Sequence, residues 1–342
     1  MATESGRRGA DIYNCGFEKP LFYPPMRVLL VKTSSLGDVI HNLPVVSDLQ
    51  RHVPGIEIDW CVEEGFADMP RLHPGVRRVV PVAVRRWRKA LFQGRTWQEI
   101  GAFRRAVSGE TYDLVLDTQG LVKSALLARW ANGPLAGYDA NSIREPLAAR
   151  FYARRYAVSR AMHAVDRNRA LAGAALGYVP EGPPDYGLVA PVQSFDWCPS
   201  DPYVVLLTAT SRDDKLWPEA HWLDLGAALH ARGLKVILPA GNPVERARAA
   251  RLAAALPNAV AAPPLGLPAL ATVLAGAQAV VGVDTGLTHL AVALDVPTVA
   301  LYTATDPGLT GVLGRGRWAN LGGKGQIPTV DAVLQALFEA AP

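Results

Sequence analysis

A few short stretches of this sequence carry side chains able to do chemistry. Lys32–Pro44, "KTSSLGDVIHNLP", sets one carboxylate, Asp38, among two serines and a glycine. Asp38 there is either a helix cap or a group that accepts a proton. "VGVDTGLTHLAVAL", 281–294, places Asp284-Thr285-Gly286 between a strand and a helix. Free N–H groups at Thr285, Gly286 and Leu287 suit a phosphate, helped by the helix dipole. The competing reading is a cap by Asp284 or Thr285. "TATSRDDKLWP", 208–218, offers the hydroxyls of Thr210 and Ser211 and the cation of Lys215. These suit phosphate oxygens, although a plain solvated loop has the same composition. Asp213 and Asp214 read as structural, because Arg212 and Lys215 neutralise them locally. "RRWRK", 85–89, is a solvated face, a nucleic-acid contact with Trp87 stacked on a base, or a site for an anionic lipid head group. In "SIREP", 142–146, Arg144 either pairs near Glu145 or reaches into a cleft.

The elements that must position these residues alternate. "RVLLVKT", "EIDWCV", "RRVVPV" and "YDLVLDT" read as strands, with "GPLAGY" short and strand-like. Between and after them lie helical patterns: Val39–Val53, kinked near its start by Pro44, "WQEIGAFRRAV", "GLVKSALLARW", "REPLAARFYA" and "HAVDRNRALAGAAL". A proline- and glycine-rich stretch over 181–191 reads as a linker. The alternation then restarts, with "YVVLLT", "KVILPA", "AVVGVD" and "PTVALY" as strands. Strand–helix alternation means parallel sheets covered on both faces. The expected fold is therefore α/β, with two doubly wound Rossmann-like domains over 26–180 and 192–327. Ligands bind such folds at the carboxyl ends of the strands. Residues 1–25 read as a loose extension, with Met26 suited to be the physiological start.

Composition narrows the function. Of 342 residues 49 % are apolar and 19 % charged, which is globular rather than disordered. Cys15, Cys61 and Cys198 stand far apart with no CxxC, which argues against a disulfide framework or a zinc site. No GxGxxG, GxxxxGK[ST] or HExxH occurs. The most hydrophobic window, 267–283, holds Pro268, Gln278 and two glycines, and reads as a helix plus a strand. The N-terminal residues lack the apolar core of a signal peptide, so a cytoplasmic protein is expected. Residues 1–185 hold 25 Lys and Arg against 19 Asp and Glu, whereas 186–342 hold 10 against 12. The front half is suited to an anionic partner.

In this order, "MRVLLVKTSSLGDVIHNLP", "VAVRRWRKALF", "DTQGLVKSALLAR", "TATSRDDKLWP" and "VDTGLTHLAVALDVPTVALYTATDPGLTG" resemble the lipopolysaccharide heptosyltransferase I family. The likeness runs from Met26 to the C-terminus. "KTSSLGDVIHNLP" and "RRWRK" look more like this family than like heptosyltransferase II. The resemblance implies a GT-B enzyme of glycosyltransferase family 9, its two domains facing each other across a cleft. It would move L-glycero-D-manno-heptose from ADP-heptose to a Kdo sugar of Kdo2-lipid A, inverting the anomeric centre without a metal or other cofactor. The resemblance makes Asp38 the catalytic base. It puts Thr210, Ser211 and Lys215 on the donor diphosphate, Asp284, Thr285, Gly286 and His289 elsewhere in the donor site, and Glu245 on the adenosine ribose. Arg85, Arg86, Arg88, Lys89 and Arg144 are matched to the acceptor. A C-terminal helix within 328–342 is expected to return toward the first domain. The implied partners are ADP-heptose, Kdo2-lipid A and the anionic inner-membrane surface at its cytoplasmic face, with no nucleic acid. Ala240 departs from the family pattern, which has a tryptophan there, and the 1–25 extension is a second departure. The alternatives are heptosyltransferase II or another GT-B transferase, and a two-lobed sugar- or nucleotide-binding protein without catalysis.

Overall fold

The computed structural model describes residues 25–210 and 212–339. Ser211 and the extension up to residue 24 lie outside the described residues. Strands β1 (Arg27–Val31), β2 (Glu57–Glu63), β3 (Val76–Val82), β4 (Leu114–Asp117), β5 (Leu135–Tyr138) and β6 (Arg154–Tyr156) form one sheet. Strands β7 (Tyr203–Leu207), β8 (Lys235–Leu238), β9 (Ala259–Ala261), β10 (Ala279–Val283), β11 (Thr298–Tyr302) and β12 (Trp318–Gly322) form another. Every pairing is parallel. The orders are β3-β2-β1-β4-β5-β6 and β12-β11-β10-β7-β8-β9. Read from each unit's first strand, both are the 3-2-1-4-5-6 order of a doubly wound fold. The strand order reverses between β1 and β4, and again between β7 and β10, so each sheet opens a crevice there. Central strands such as "VLLV" and "YVVLL" are buried along their length, which is why they read as continuous apolar runs.

Two local features depart from the sequence reading. The helix expected over Val39–Val53 is two helices, Leu36–Ile40 and Leu43–His52, parted at His41–Asn42. Pro44 sits in the first turn of the second, where its missing N–H costs nothing. The last helix, Val330–Phe338, does not return to the first domain. It packs on helix Glu219–His230, β11 and β12, with Val333 and Leu337 buried in the second domain's core. That spacing of four residues puts both side chains on one face, and the second sheet lies beside it.

The 181–191 segment is tied to both units. Arg169 donates to the carbonyls of Glu181 and Gly182 while its fork grips the buried Asp48 at 2.8 and 3.1 Å. The Tyr186 hydroxyl donates to the Leu313 carbonyl, and the Thr272 hydroxyl to that of Pro191. Gly187 has φ +59°, and a Cβ there would fall 2.3 Å from His73 Nε2. The segment is a strap with defined contacts.

Candidate active site

The second domain holds a cavity of about 910 Å³ at the carboxyl ends of its strands. That is within the range typical of small-molecule sites. Leu207, Pro239, Ala240 and Leu265 give it apolar walls, while Thr210, Glu245, Arg248 and Thr285 supply polar groups. Ala240 contributes only a methyl where a tryptophan would fill space. Glu245 closes a capping box at the start of helix Pro243–Ala255. It accepts from the Gly241 N–H at 2.8 Å and the Asn242 side chain at 2.7 Å. Its carboxylate is thereby held in a fixed pose at the cavity wall.

At the end of β10, neither Asp284 nor Thr285 caps the following helix, Gly286–Ala293, with its side chain. The first-turn N–H groups of a helix have no intrahelical acceptor, and Thr285 and Leu287 line the cavity. Asp284 turns the other way. It accepts from Lys215 Nζ at 2.7 Å and from the Thr305 hydroxyl at 2.7 Å, and His289 Nε2 lies 3.9 Å off. Burial alone favours a neutral carboxyl, but His289, Lys215 and Thr305 outweigh it. They hold Asp284 well below the usual carboxylate range. Thr210 donates to the Asp284 carbonyl at 3.1 Å. Lys215, read as a cation for phosphate oxygens, is therefore partly committed: an ammonium has three donors, and one faces Asp284. Of the two aspartates read as structural, Asp214 pairs with Arg212, whereas Asp213 lines the cavity and Lys215 is turned to Asp284.

The first domain supplies the facing half. Asp38 lies in the helix Leu36–Ile40 that follows β1. Its Oδ2 accepts from the Ser35 N–H at 2.8 Å and the Ser35 hydroxyl at 3.2 Å. Among the described residues no hydrogen bond engages Oδ1. The cap thus uses one oxygen of the carboxylate and leaves the other without a donor among the described residues. Leu36 packs on Gly286 and Gly37 faces His289, so the Asp38 helix abuts the start of helix Gly286–Ala293. One turn on, His41 Nε2 meets His289 Nδ1 at 3.1 Å, and His163 Nε2 meets the Gly311 carbonyl at 3.0 Å. Burial, with the neighbouring imidazoles, pushes His41 well below the usual imidazole range, so it is neutral. Gly286 was expected to admit a diphosphate; in the structure the space beside it admits Leu36.

Two buried charges lie behind Asp38. Lys32, at the end of β1, donates to the Thr118 carbonyl at 2.7 Å and the Asn168 side chain at 3.3 Å. Burial lowers its pKa; Asp38 and Asp117 oppose that, while Arg167 and Arg144 add to it. Asp117, at the end of β4, accepts from the N–H groups of Gln119 and Gly120 and from the Ser124 and Tyr152 hydroxyls. Burial raises its pKa against those bonds. Lys32 and His41 were not singled out in the sequence. The available signal was a lysine closing an apolar strand and a histidine three residues beyond the carboxylate.

Residues 100–333 match the family model for glycosyltransferase family 9 (heptosyltransferase). The chain belongs to glycosyltransferase family 9. The enzyme is 54 % identical over 292 residues to lipopolysaccharide heptosyltransferase 1 of Pseudomonas aeruginosa, covering 85 % of this chain and 82 % of that one. The solved structure of the E. coli heptosyltransferase WaaC with ADP superposes with a TM-score of 0.85 at 46 % identity, over 92 % of this chain and 100 % of that one. The same protein with ADP-2-deoxy-2-fluoro heptose gives 0.82 at 44 %, with the same coverage. The fold of this enzyme is GT-B, two Rossmann-like domains facing one another.

The basic run of the enzyme divides on folding. Arg86 pairs with Glu64 at 3.0 Å and Glu99 at 2.7 Å, and these carboxylates raise its pKa. A count of acids along 71–105 finds only Glu99, because Glu64 arrives from the end of β2. Trp87 is buried against Phe103 and donates to Glu99 at 2.8 Å, so it offers no face for a base to stack on. Arg85, Arg88, Lys89 and Arg144 are exposed, with no carboxylate in salt-bridge reach among the described residues. Glu145 accepts instead from the Val122 N–H at 2.7 Å, leaving Arg144 unpaired on the first domain's rim.

The contact between the domains gives a steric test. A Cβ on Gly286 would lie 2.8 Å from Leu36 Cγ and Cδ2 and 2.9 Å from its Cβ, too close for any of the three. Gly286→Ala should displace the Asp38 helix and lower kcat about tenfold, since sub-ångström misplacement of a reacting group is costly. A Cβ on Gly37 meets His289 only at 3.5 Å, so Gly37→Ala should be tolerated there. Adding Leu36→Gly, which removes Cβ as well as Cγ and Cδ2, should restore the Gly286→Ala rate. Steady-state rates of the three variants check this, and failure of the rescue would dismiss Leu36 as the cause.

Proposed function

We propose that this enzyme transfers L-glycero-D-manno-heptose from ADP-heptose to a Kdo sugar of Kdo2-lipid A, with inversion, at the cytoplasmic face of the inner membrane. The observation that carries the reading is the contact of the Asp38 helix with the start of helix Gly286–Ala293, beside the second-domain cavity. On this reading the contact would set Asp38 Oδ1, which has no hydrogen bond among the described residues, beside the donor sugar. That a 46 % identical protein was solved with ADP supports a nucleotide-linked donor.

In the proposed step Asp38 Oδ1 takes the proton of an acceptor hydroxyl as its oxygen bonds to the anomeric carbon. The bond from that carbon to the β-phosphate oxygen breaks, and ADP leaves with the electron pair. Lys215 and the N–H groups at Thr285–Leu287 meet the charge gathering on the diphosphate. Glu245 meets the ribose. Thr210, Ser211 and His289 complete the donor side; Arg85, Arg88, Lys89 and Arg144 face the acceptor's phosphates and carboxylates. Arg86 enters that set only by releasing Glu64 or Glu99.

This charge balance is proposed to need no divalent cation. Transfer should therefore persist in EDTA. Loss of turnover on chelation, restored by Mg²⁺, would overturn that part. The acceptor is tested by ADP release with Kdo2-lipid A and with the same lipid already heptosylated. Release with the first supports the reading; release with only the second would make the enzyme a heptosyltransferase II. Among the described residues no helix is long and apolar enough to cross a membrane, so attachment to the bilayer is proposed to be peripheral.

A further inference from the structure

Beyond β3 the chain forms a small knob over 88–97. Phe92 is fully exposed, Trp97 is 61 % exposed and Leu91 46 %. Single exposed apolar residues need no explanation. Three within seven residues, on a knob held rigid, are another matter. Successive turns close through Lys89 N–H to Arg86, Ala90 N–H to Trp87 and Gln93 N–H to Ala90. The Thr96 hydroxyl donates to the Ala90 carbonyl at 2.8 Å, and buried Trp87 anchors the base. Trp97 Nε1 donates to the Leu91 carbonyl at 2.9 Å. That bond satisfies the only donor of the indole, so the ring can enter an apolar medium without stranding a polar group.

Cations surround the knob. Arg85 precedes it and Arg88 and Lys89 begin it, all three exposed and without carboxylate partners among the described residues. Arg104 and Arg105 are exposed too, seven and eight residues beyond Trp97 on helix Gly94–Ser108, and so on its face. Aromatic and aliphatic tips ringed by Lys and Arg match the chemistry of an anionic lipid–water interface. The place is also right. The knob follows the carboxyl end of β3, on the sheet rim that carries Asp38 after β1. Those strands are two apart, roughly 10 Å at ordinary strand spacing.

We propose that this knob docks the enzyme on an anionic bilayer. Leu91, Phe92 and Trp97 insert at the headgroup boundary, and the ring of cations meets lipid phosphates. The inference rests on the lipid-borne acceptor proposed above and deepens it: the acceptor sugar would rise from the membrane beside the rim that holds the base. Three side chains make a reversible anchor, which lets the enzyme leave one acceptor for the next.

The test compares wild type with Leu91→Ser/Phe92→Ser/Trp97→Ser, and with Phe92→Ser alone as the gentlest change. Co-sedimentation uses vesicles of phosphatidylcholine with phosphatidylglycerol and no acceptor. The triple variant should partition roughly tenfold less or weaker still, from the apolar area withheld from lipid. Its transfer to an acyl-free Kdo acceptor in solution should be unchanged. Vesicles should shift the tryptophan emission of wild type to the blue, less so in Trp97→Phe. Equal vesicle binding by wild type and the triple variant would overturn the inference. So would a wild-type dimer in gel filtration that the triple variant dissolves, since the patch would then cover a second copy. A wild type that transfers heptose but ignores vesicles sinks only this inference; one that binds vesicles through the knob but transfers no heptose sinks only the proposed function.

Discussion

Asp38→Asn is expected to lower kcat by roughly 10²–10⁴, the usual contribution of a positioned base. Donor affinity and thermal stability should stay near wild type. Asparagine is the informative substitution because of how the carboxylate is used. Oδ2 accepts from the Ser35 N–H and hydroxyl, and an amide oxygen can take over that role. No hydrogen bond engages Oδ1 among the described residues, and the amide nitrogen that would replace it has no lone pair to take a proton. Asp38→Ala removes both functions, so it should add a capping loss of about 1 kcal/mol to the same fall in rate. Turnover, ADP-heptose titration and melting temperature of the two variants separate base from cap. Near-normal turnover by Asp38→Asn would eliminate Asp38 as the base.

Lys215→Ala is expected to weaken ADP-heptose binding by roughly 10- to 150-fold, as for loss of a hydrogen bond to a charged group worth about 1.5–3 kcal/mol. The lysine has two tasks, because one of its donors faces Asp284 at 2.7 Å. Without it, burial pushes Asp284 back up toward protonation, and the carboxylate that remains ionised opposes the diphosphate. Lowering the pH should then recover part of the variant's affinity, as Asp284 takes up a proton; wild type lacks this dependence because Asp284 is held ionised. Lys215→Ala/Asp284→Asn separates the tasks. If Lys215 contacts the diphosphate, the double variant stays weak. Full recovery of donor affinity would reduce the lysine to a neutraliser of Asp284. Calorimetric titration with ADP-heptose reads both.

What could be read from the sequence follows the range of the forces involved. β1, β4, β7 and β10 are buried runs, visible because each residue in them is apolar. β6, β9 and β12 went unread: "RRY", "AVA" and "WANLG" are short edge or near-edge segments without a continuous buried run. The two loops framing the second-domain cavity stood out because each joins a strand end to polar residues. Their meeting was not, since Lys215 and Asp284 stand 69 residues apart. The basic run misled for the same reason. Arg86 looked free until Glu64, 22 residues upstream, folded against it, and Trp87 looked available until Phe103 covered it. The His41–His289 contact spans 248 residues and joins two domains, beyond any local pattern.

The shared strand order of the two sheets makes the chain its own comparison. Each unit has an aspartate at the end of its fourth strand, at the reversal point: Asp117 is the last residue of β4, and Asp284 follows the last residue of β10. Asp117 faces inward, holding Gln119, Gly120, Ser124 and Tyr152, and burial makes it a better proton binder than a free carboxylate. Asp284 faces Lys215 and Thr305 and gives up its proton more readily than a free carboxylate. One position thus occurs twice with opposite acidity, once as scaffold and once at the seam where the two halves meet. The difference lies in charge: both carboxylates are disfavoured by burial, but only neutral donors oppose it at Asp117, whereas Lys215 faces Asp284, so a division of labour between two like folds can turn on whether a cation meets one carboxylate.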